Sequence, residues 1–276
     1  MVLSVQSTSR PPRAGGFAAA ELAVVVGTFG VLITLVLLPA IVVSRSQSRG
    51  AVCQSNLHQI GVGMLSFAAE NDDALYTVPS PFGGYVPNSG HWTETPRSPD
   101  MLQADHPLAY WGVAYFDHVG RSREVFRCPS ARRVDEWRDA GLNYPSEFWL
   151  NSSYGLSEYA AISRKEVPRV PRKMSGFANP STTILAQDAF EQRMEGEGDS
   201  LGLFPGYSEI LTSWRNDLAS YYGGYPFQSE WYRHEQRCQT LWVSGHVSRI
   251  RFTGLNVGID YRYYTGETPR TPLPED

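Results

Sequence analysis

The sequence predicts an α+β protein in which a long N-terminal helix lies against an antiparallel β-sheet. Three observations predict it. Residues 17–43 are apolar apart from a single acid, and the residues after them carry an apolar stripe at helical spacing. The remainder is rich in Tyr, Trp, Gly and Pro, a composition suited to strands, turns and long loops.

The apolar run comprises about 27 residues, and a helix rising about 1.5 Å per residue needs about 20 to cross a bilayer core. A cleavable secretory signal has a shorter apolar core, about 7–15 residues, ending at a small-x-small site. The reading is therefore a transmembrane helix. Pro39 lacks an amide hydrogen and should loosen the helix near its outer end. Gly27 and Gly30 suit either close helix approach or flexibility. Arg10 and Arg13 precede the span while Arg45 and Arg49 follow it, so basic residues barely discriminate its orientation.

Cys53, Leu57, Ile60, Met64 and Phe67 or Ala68 recur at spacings of three and four, which continues the helix to about Glu70 with a break admitted near Gly50. Asn71-Asp72-Asp73 ends it. Strands are expected at residues 125–127, 182–186, 240–243 and 246–252, the last two forming a hairpin across Ser244-Gly245. Residues 266–276 read as a loose polar tail.

Composition narrows function. A net charge of −4 offers no basic field to nucleic acid. No nucleophile elbow, phosphate-binding glycine loop or dinucleotide fingerprint is present, and nothing asks for an enzyme. Asp72-Asp73 is a carboxylate pair, but adjacent acids at a helix end commonly cap and solvate. Asn151-Ser152-Ser153 fits a glycosylation sequon by pattern only. The informative residue is Glu21. An acid within an apolar span costs on the order of 3 kcal/mol even on lenient insertion scales, so it is functional by default. Cleavage after Gly16 would give Phe17 a charged α-amine, an opposite charge that makes a buried carboxylate tolerable.

Gly16, Phe17 and Glu21 resemble, residue by residue, the processing site of type IV pilins and pseudopilins. The resemblance implies cleavage by prepilin peptidase between Gly16 and Phe17 and N-methylation of Phe17. It further implies pairing of Glu21 with the amine of a neighbouring subunit as helices bundle. Later segments are similar to a pseudopilin-like subfamily abundant in planctomycete and verrucomicrobial bacteria. They are residues 53–61 (Cys-Gln-Ser-Asn-Leu-His-Gln-Ile-Gly), Cys128-Pro129-Ser130, Ser153-Tyr154-Gly155-Leu156 and residues 180–185. The subfamily ends in a His-x9-Asp-Gly signature, matched here by His234 and Ser244-Gly245 with Ser in place of Asp. Residues 80–105 and 191–230 fall between the matched segments and are read as insertions on the sheet, whose aromatics would offer a surface to partners or glycan.

Cys53 and Cys128 fall in two of these motifs, so the resemblance pairs them in a disulfide tying helix to sheet; the alternative is two buried small apolar residues. Cys238 is left over, either buried or available between molecules. Neither His234 with His246 nor His91 with Glu94 has a compact zinc-ligand spacing. His234 is instead expected to hydrogen-bond near the Ser244-Gly245 turn, and no metal is assigned. Some pseudopilins bind calcium in a C-terminal loop. Asp188, Glu191, Glu195, Glu197 and Asp199 form an acidic stretch that is either such a site or a solvated loop.

The expected organisation is a leader (1–16), a transmembrane and assembly helix (17–43), its amphipathic continuation (44–73), a globular domain with insertions (74–265) and a tail (266–276). The expected function is a pseudopilin-like structural subunit of a type II secretion or type IV pilus-like filament. Its partners would be prepilin peptidase, sister subunits and the assembly machinery. It would sit in the inner membrane with its N-terminus cytoplasmic and its domain periplasmic or extracellular. The alternative is a signal-anchored domain that binds carbohydrate or another surface ligand and never polymerises.

Overall fold

The computed structural model describes residues 19–81, 83–132, 134, 146–163, 165–194, 202–203, 226, 228–254 and 258–274, with the side chains at 36, 37, 39, 42, 146, 147, 202 and 203 outside that description. The leader and the Gly16-Phe17 junction lie outside it too. The chain divides into two units, residues 1–45 and 46–276.

Helix α1 (Ala19–Glu70) is 52 residues long and continues through both Pro39 and Gly50, so no break occurs at either. Among the described residues no helix is long and apolar enough to cross a membrane, and the span expected over residues 17–43 rests on the sequence. Asn71-Asp72-Asp73 ends the helix as expected. Asn71 and Asp73 donate backbone N–H groups to Ala68 O at 3.1 and 2.9 Å, and the Asn71 side chain donates to Phe67 O at 2.8 Å. Asp72 and Asp73 then adopt φ of 53° and 66°, a left-handed conformation that Asp tolerates better than most residues.

Among the described residues nine strands follow: β1 (Tyr154–Ser157), β2 (Ile162–Ser163), β3 (Val170–Pro171), β4 (Ile184–Asp188), β5 (Arg193–Met194), β6 (Gly202–Leu203), β7 (Arg237–Trp242), β8 (Val247–Arg251) and β9 (Ile259–Asp260). Five form the central sheet in the order β5-β1-β4-β7-β8. The sheet is mixed, not purely antiparallel as expected, because β5 runs parallel to β1. The other pairs are antiparallel, including the β7–β8 hairpin, whose last pair is Leu241 with Val247. Residues 125–127 are not a strand: Arg123–Phe126 is a 3-10 turn that delivers Val125 and Phe126 to the core.

Both faces of the sheet are covered, so β1 and β4 are buried along their whole length. On one face, Cys53, Leu57, Ile60, Met64 and Phe67 of α1 share a core with Leu156, Leu185, Leu241 and Val243. Gly61 permits the close approach, since a Cβ there would stand 2.7 Å from Cδ1 of Leu241. Trp92, Tyr110, Trp111 and Phe126 extend this core as an aromatic cluster with ring centroids 4.9 to 5.7 Å apart. Trp92 is thus interior, not part of the aromatic surface expected of residues 80–105. On the other face, Ile184, Phe190, Trp231, Cys238, Trp242, Ile250 and Tyr264 form a second core. Alternate residues of β7 serve the two cores, Leu241 one and Cys238 and Trp242 the other. The tail is tied down: Arg270 and Thr271 donate backbone N–H groups to Asp260, and Leu273 packs on the second core.

Candidate functional site

Four segments distant in sequence meet beside the first core. Helix α1 brings Cys53, the turn after the Arg123–Phe126 helix brings Cys128, the end of β4 brings Asp188, and the loop before β7 brings His234. One ligand atom from each lies within 4.8 Å of all the others, and all four residues are buried. Cys53 Sγ donates to Asp188 Oδ1 at 3.2 Å, Cys128 Sγ meets His234 Nε2 at 3.3 Å, and His234 Nε2 lies 3.5 Å from Asp188 Oδ2. Tyr154 Oη donates to Cys53 Sγ at 3.2 Å.

A surrounding shell holds the carboxylate. Gln239 N–H donates to Asp188 Oδ2 at 3.0 Å, and the buried Arg233 guanidinium donates to Oδ1 at 3.2 Å. Arg233 is itself fixed by the carbonyls of Ser153 and Ala189, each at 2.6 Å, and by Glu230 at 3.3 Å. His234 Nδ1 has no hydrogen-bond partner among the described residues, so the ring's polar contacts are made through Nε2.

Burial is the largest single influence on each of the four groups, but at Cys128 and His234 the neighbours together outweigh it. It pushes the Asp188 carboxyl up to about 7, with Cys128 adding to the rise and His234 and Arg233 opposing it. Burial also raises the Cys53 thiol, helped by Cys128 and Asp188. For Cys128 burial acts upward but loses to the hydrogen bonds from Cys53 and His234 and to the Arg233 charge, so this thiol falls well below its ordinary value. His234 is the counterpart: burial pulls it down, and contact with Cys128 and Asp188 holds it above the usual imidazole range.

Several expected contacts are replaced. Cys53 and Cys128 are neighbours, as the resemblance implied, but stand as free thiols and not as a disulfide. Cys238 is buried, its Sγ donating to the Asp188 carbonyl at 3.4 Å, which removes it from intermolecular bonding. His234 does not order the hairpin turn. There Ser244 Oγ contacts His246 Nδ1 at 2.7 Å, while Gly245 takes φ of 87°. Asp188 and Glu191 are buried and do not form an exposed calcium loop; Glu195, Glu197 and Asp199 lie outside the described residues. His91 is buried with Nδ1 2.6 Å from Thr93 O, whereas Glu94 is exposed. Glu21 sits exposed in the first turn of α1.

Sequence reasoning singled out each of the four residues, and the resemblance paired Cys53 with Cys128, but nothing joined Asp188 and His234 to them. No local spacing could do so, because successive members are tens of residues apart. Elsewhere an open cleft of about 770 Å³ is lined by Asn88, Pro107, Glu166, Arg169 and Arg193, among others. Compared with known protein families, curated proteins and solved structures, the chain matches none.

Proposed function

We propose that the chain is a pseudopilin-like structural subunit, processed between Gly16 and Phe17 and assembled through its N-terminal helix into a type II secretion or type IV pilus-like filament. One observation carries the reading. Helix α1 is a single element whose later stripe is buried in a core, while Leu22, Val26, Phe29, Ile33 and Val43 are each 50% exposed or more. Apolar surface of that extent needs lipid or sister helices to cover it. Glu21 in its first turn is the one acid of the run, and the amine of a processed Phe17 on a neighbour would neutralise it. Before assembly the run would reside in the inner membrane, with the domain of residues 46–276 on the outer side.

The test is the mature N-terminus of protein isolated from its native membrane, read by mass spectrometry. A methylated Phe17 is expected. An intact Met1, or cleavage beyond residue 43, would remove the chemistry on which the reading depends. The second reading, an anchored binding domain that never polymerises, draws on the open cleft lined by Asn88, Pro107, Arg169 and Arg193, among others. It would be favoured by a detergent-extracted monomer that is indifferent to substitution of Glu21.

A further inference from the structure

We infer that Cys53, Cys128, Asp188 and His234 form a four-ligand site for a zinc ion that clamps α1 to β4 and to the two loops beside it. The inference is independent of filament assembly, because all four ligands belong to the unit of residues 46–276.

Donor chemistry is the first argument. Two thiolates, one imidazole and one carboxylate are the ligand types that zinc selects, and four of them closing a buried site is the structural rather than the catalytic pattern. Geometry is the second. Zn–S bonds of about 2.3 Å and Zn–N or Zn–O bonds of about 2.0–2.1 Å in a tetrahedron put the ligand atoms about 3.3–3.8 Å apart. Three contacts around the cluster are 3.2, 3.3 and 3.5 Å and one ligand atom from each residue lies within 4.8 Å of the rest, so side-chain shifts on the order of 1 Å bring the four donors to those separations.

The surrounding shell is the third argument. Zinc ligands are ordinarily braced by outer hydrogen bonds. Here Gln239 N–H and Arg233 hold the carboxylate, and Tyr154 donates to Cys53. Charge is the fourth. Zinc with two thiolates and one carboxylate has a single net negative charge, and the buried Arg233 guanidinium, which it shares with Glu230, is the cation beside it. A Cys53–Cys128 disulfide would consume both sulfurs and leave unexplained why a histidine and a carboxylate converge on them. On binding, each cysteine that is still a thiol gives up its proton to solvent as its sulfur–zinc bond forms; no electrons are transferred.

The experiment uses the full chain, purified in detergent under reducing, metal-controlled conditions. Zinc content is read by elemental mass spectrometry, and the metal-stripped protein is titrated with Co²⁺. The expected result is about one zinc per chain, and cobalt spectra with sulfur-to-metal charge transfer and the intense d–d bands of tetrahedral coordination. Cys128→Ser and His234→Gln should bring the zinc ratio close to zero, while Cys238→Ser, beside the cluster but outside it, should retain it. The wild-type cobalt spectrum decides the matter without any variant should a ligand substitution fail to fold. Wild type that takes up neither metal, octahedral cobalt without sulfur charge transfer, equal binding by the ligand variants, or a Cys53–Cys128 disulfide in native protein would each overturn the proposal.

Discussion

Asp260 gathers on one carboxylate the guanidinium of Arg262 at 2.8 Å and the backbone N–H groups of Arg262, Arg270 and Thr271 at 3.0, 2.7 and 3.3 Å. Burial alone would raise its pKa, but these donors win and hold it below the ordinary carboxylate value. The unfolded chain then binds more protons than the folded one as pH falls through the unfolded value near ~3.9. The stability due to Asp260 is accordingly full above that value and is lost as pH drops towards the folded one. Asp260→Asn should cost about 2 kcal/mol at neutral pH, where the carboxylate accepts charge-assisted bonds. The difference from wild type should shrink at about pH 3. Urea unfolding at the two pH values measures it, and a constant difference would mean that charge has no part in tying down the tail. None of this was legible in the sequence, where residues 266–276 read as a loose polar segment. The anchor is a set of backbone N–H groups, and those leave no mark on residue identity. The four residues of the metal site illustrate the complementary case. Their types were visible, and only their convergence was hidden.

At the scale of elements, the register between α1 and the sheet depends on Gly61. A valine there would push its Cβ into Cδ1 of Leu241, at 2.7 Å from an ideal Cβ position. Alanine would meet only the end of a flexible side chain and regain about 1 kcal/mol of helix propensity, so the two effects nearly cancel. Valine adds two methyls that must be overpacked, and we expect Gly61→Val to destabilise by about 2 kcal/mol. In a Leu241→Ala background, where the obstructing carbons are gone, the same change should cost less. Denaturant unfolding of the four proteins of this cycle measures the coupling; additive effects would show that the two residues do not share space. The sequence predicted the helix stripe and the β7–β8 hairpin because period and turn chemistry are local. It missed β1, although Tyr154-Gly155-Leu156 stood out as a motif. A Cβ on Gly155 would stand 2.6 Å from Glu191 O, so that glycine records a close backbone approach instead of a strand signal. Val125-Phe126 failed in the opposite direction, since a short apolar run satisfies a buried 3-10 turn as well as a strand.

At the scale of the whole molecule, the chain combines two kinds of apolar surface that folding treats differently. Cys53, Leu57, Ile60, Met64 and Phe67 find their cover within the chain, in a core closed by the sheet and braced by the proposed zinc clamp. Between Leu22 and Val43 the described large apolar side chains are exposed and need a cover from outside. Lipid is one such cover, and a bundle of sister helices is the other. On the proposed function, the difference in free energy between them would decide whether a filament forms. Glu21 would bias that choice. In lipid the carboxylate would cost on the order of 3 kcal/mol, whereas in a bundle the amine of a processed Phe17 on a neighbour would compensate it. Replacing the acid by leucine removes both the penalty in lipid and the pairing in the bundle. We therefore expect Glu21→Leu to insert as well as wild type or better, to be cut normally at Gly16-Phe17, and to fail to assemble. Membrane fractionation and N-terminal mass spectrometry establish the first two outcomes, and recovery in sheared filaments the third. Loss of assembly together with loss of processing would place the role of Glu21 at the peptidase step. Normal incorporation into filaments would show that the acid sets neither register nor stability, and would sink the assembly mechanism.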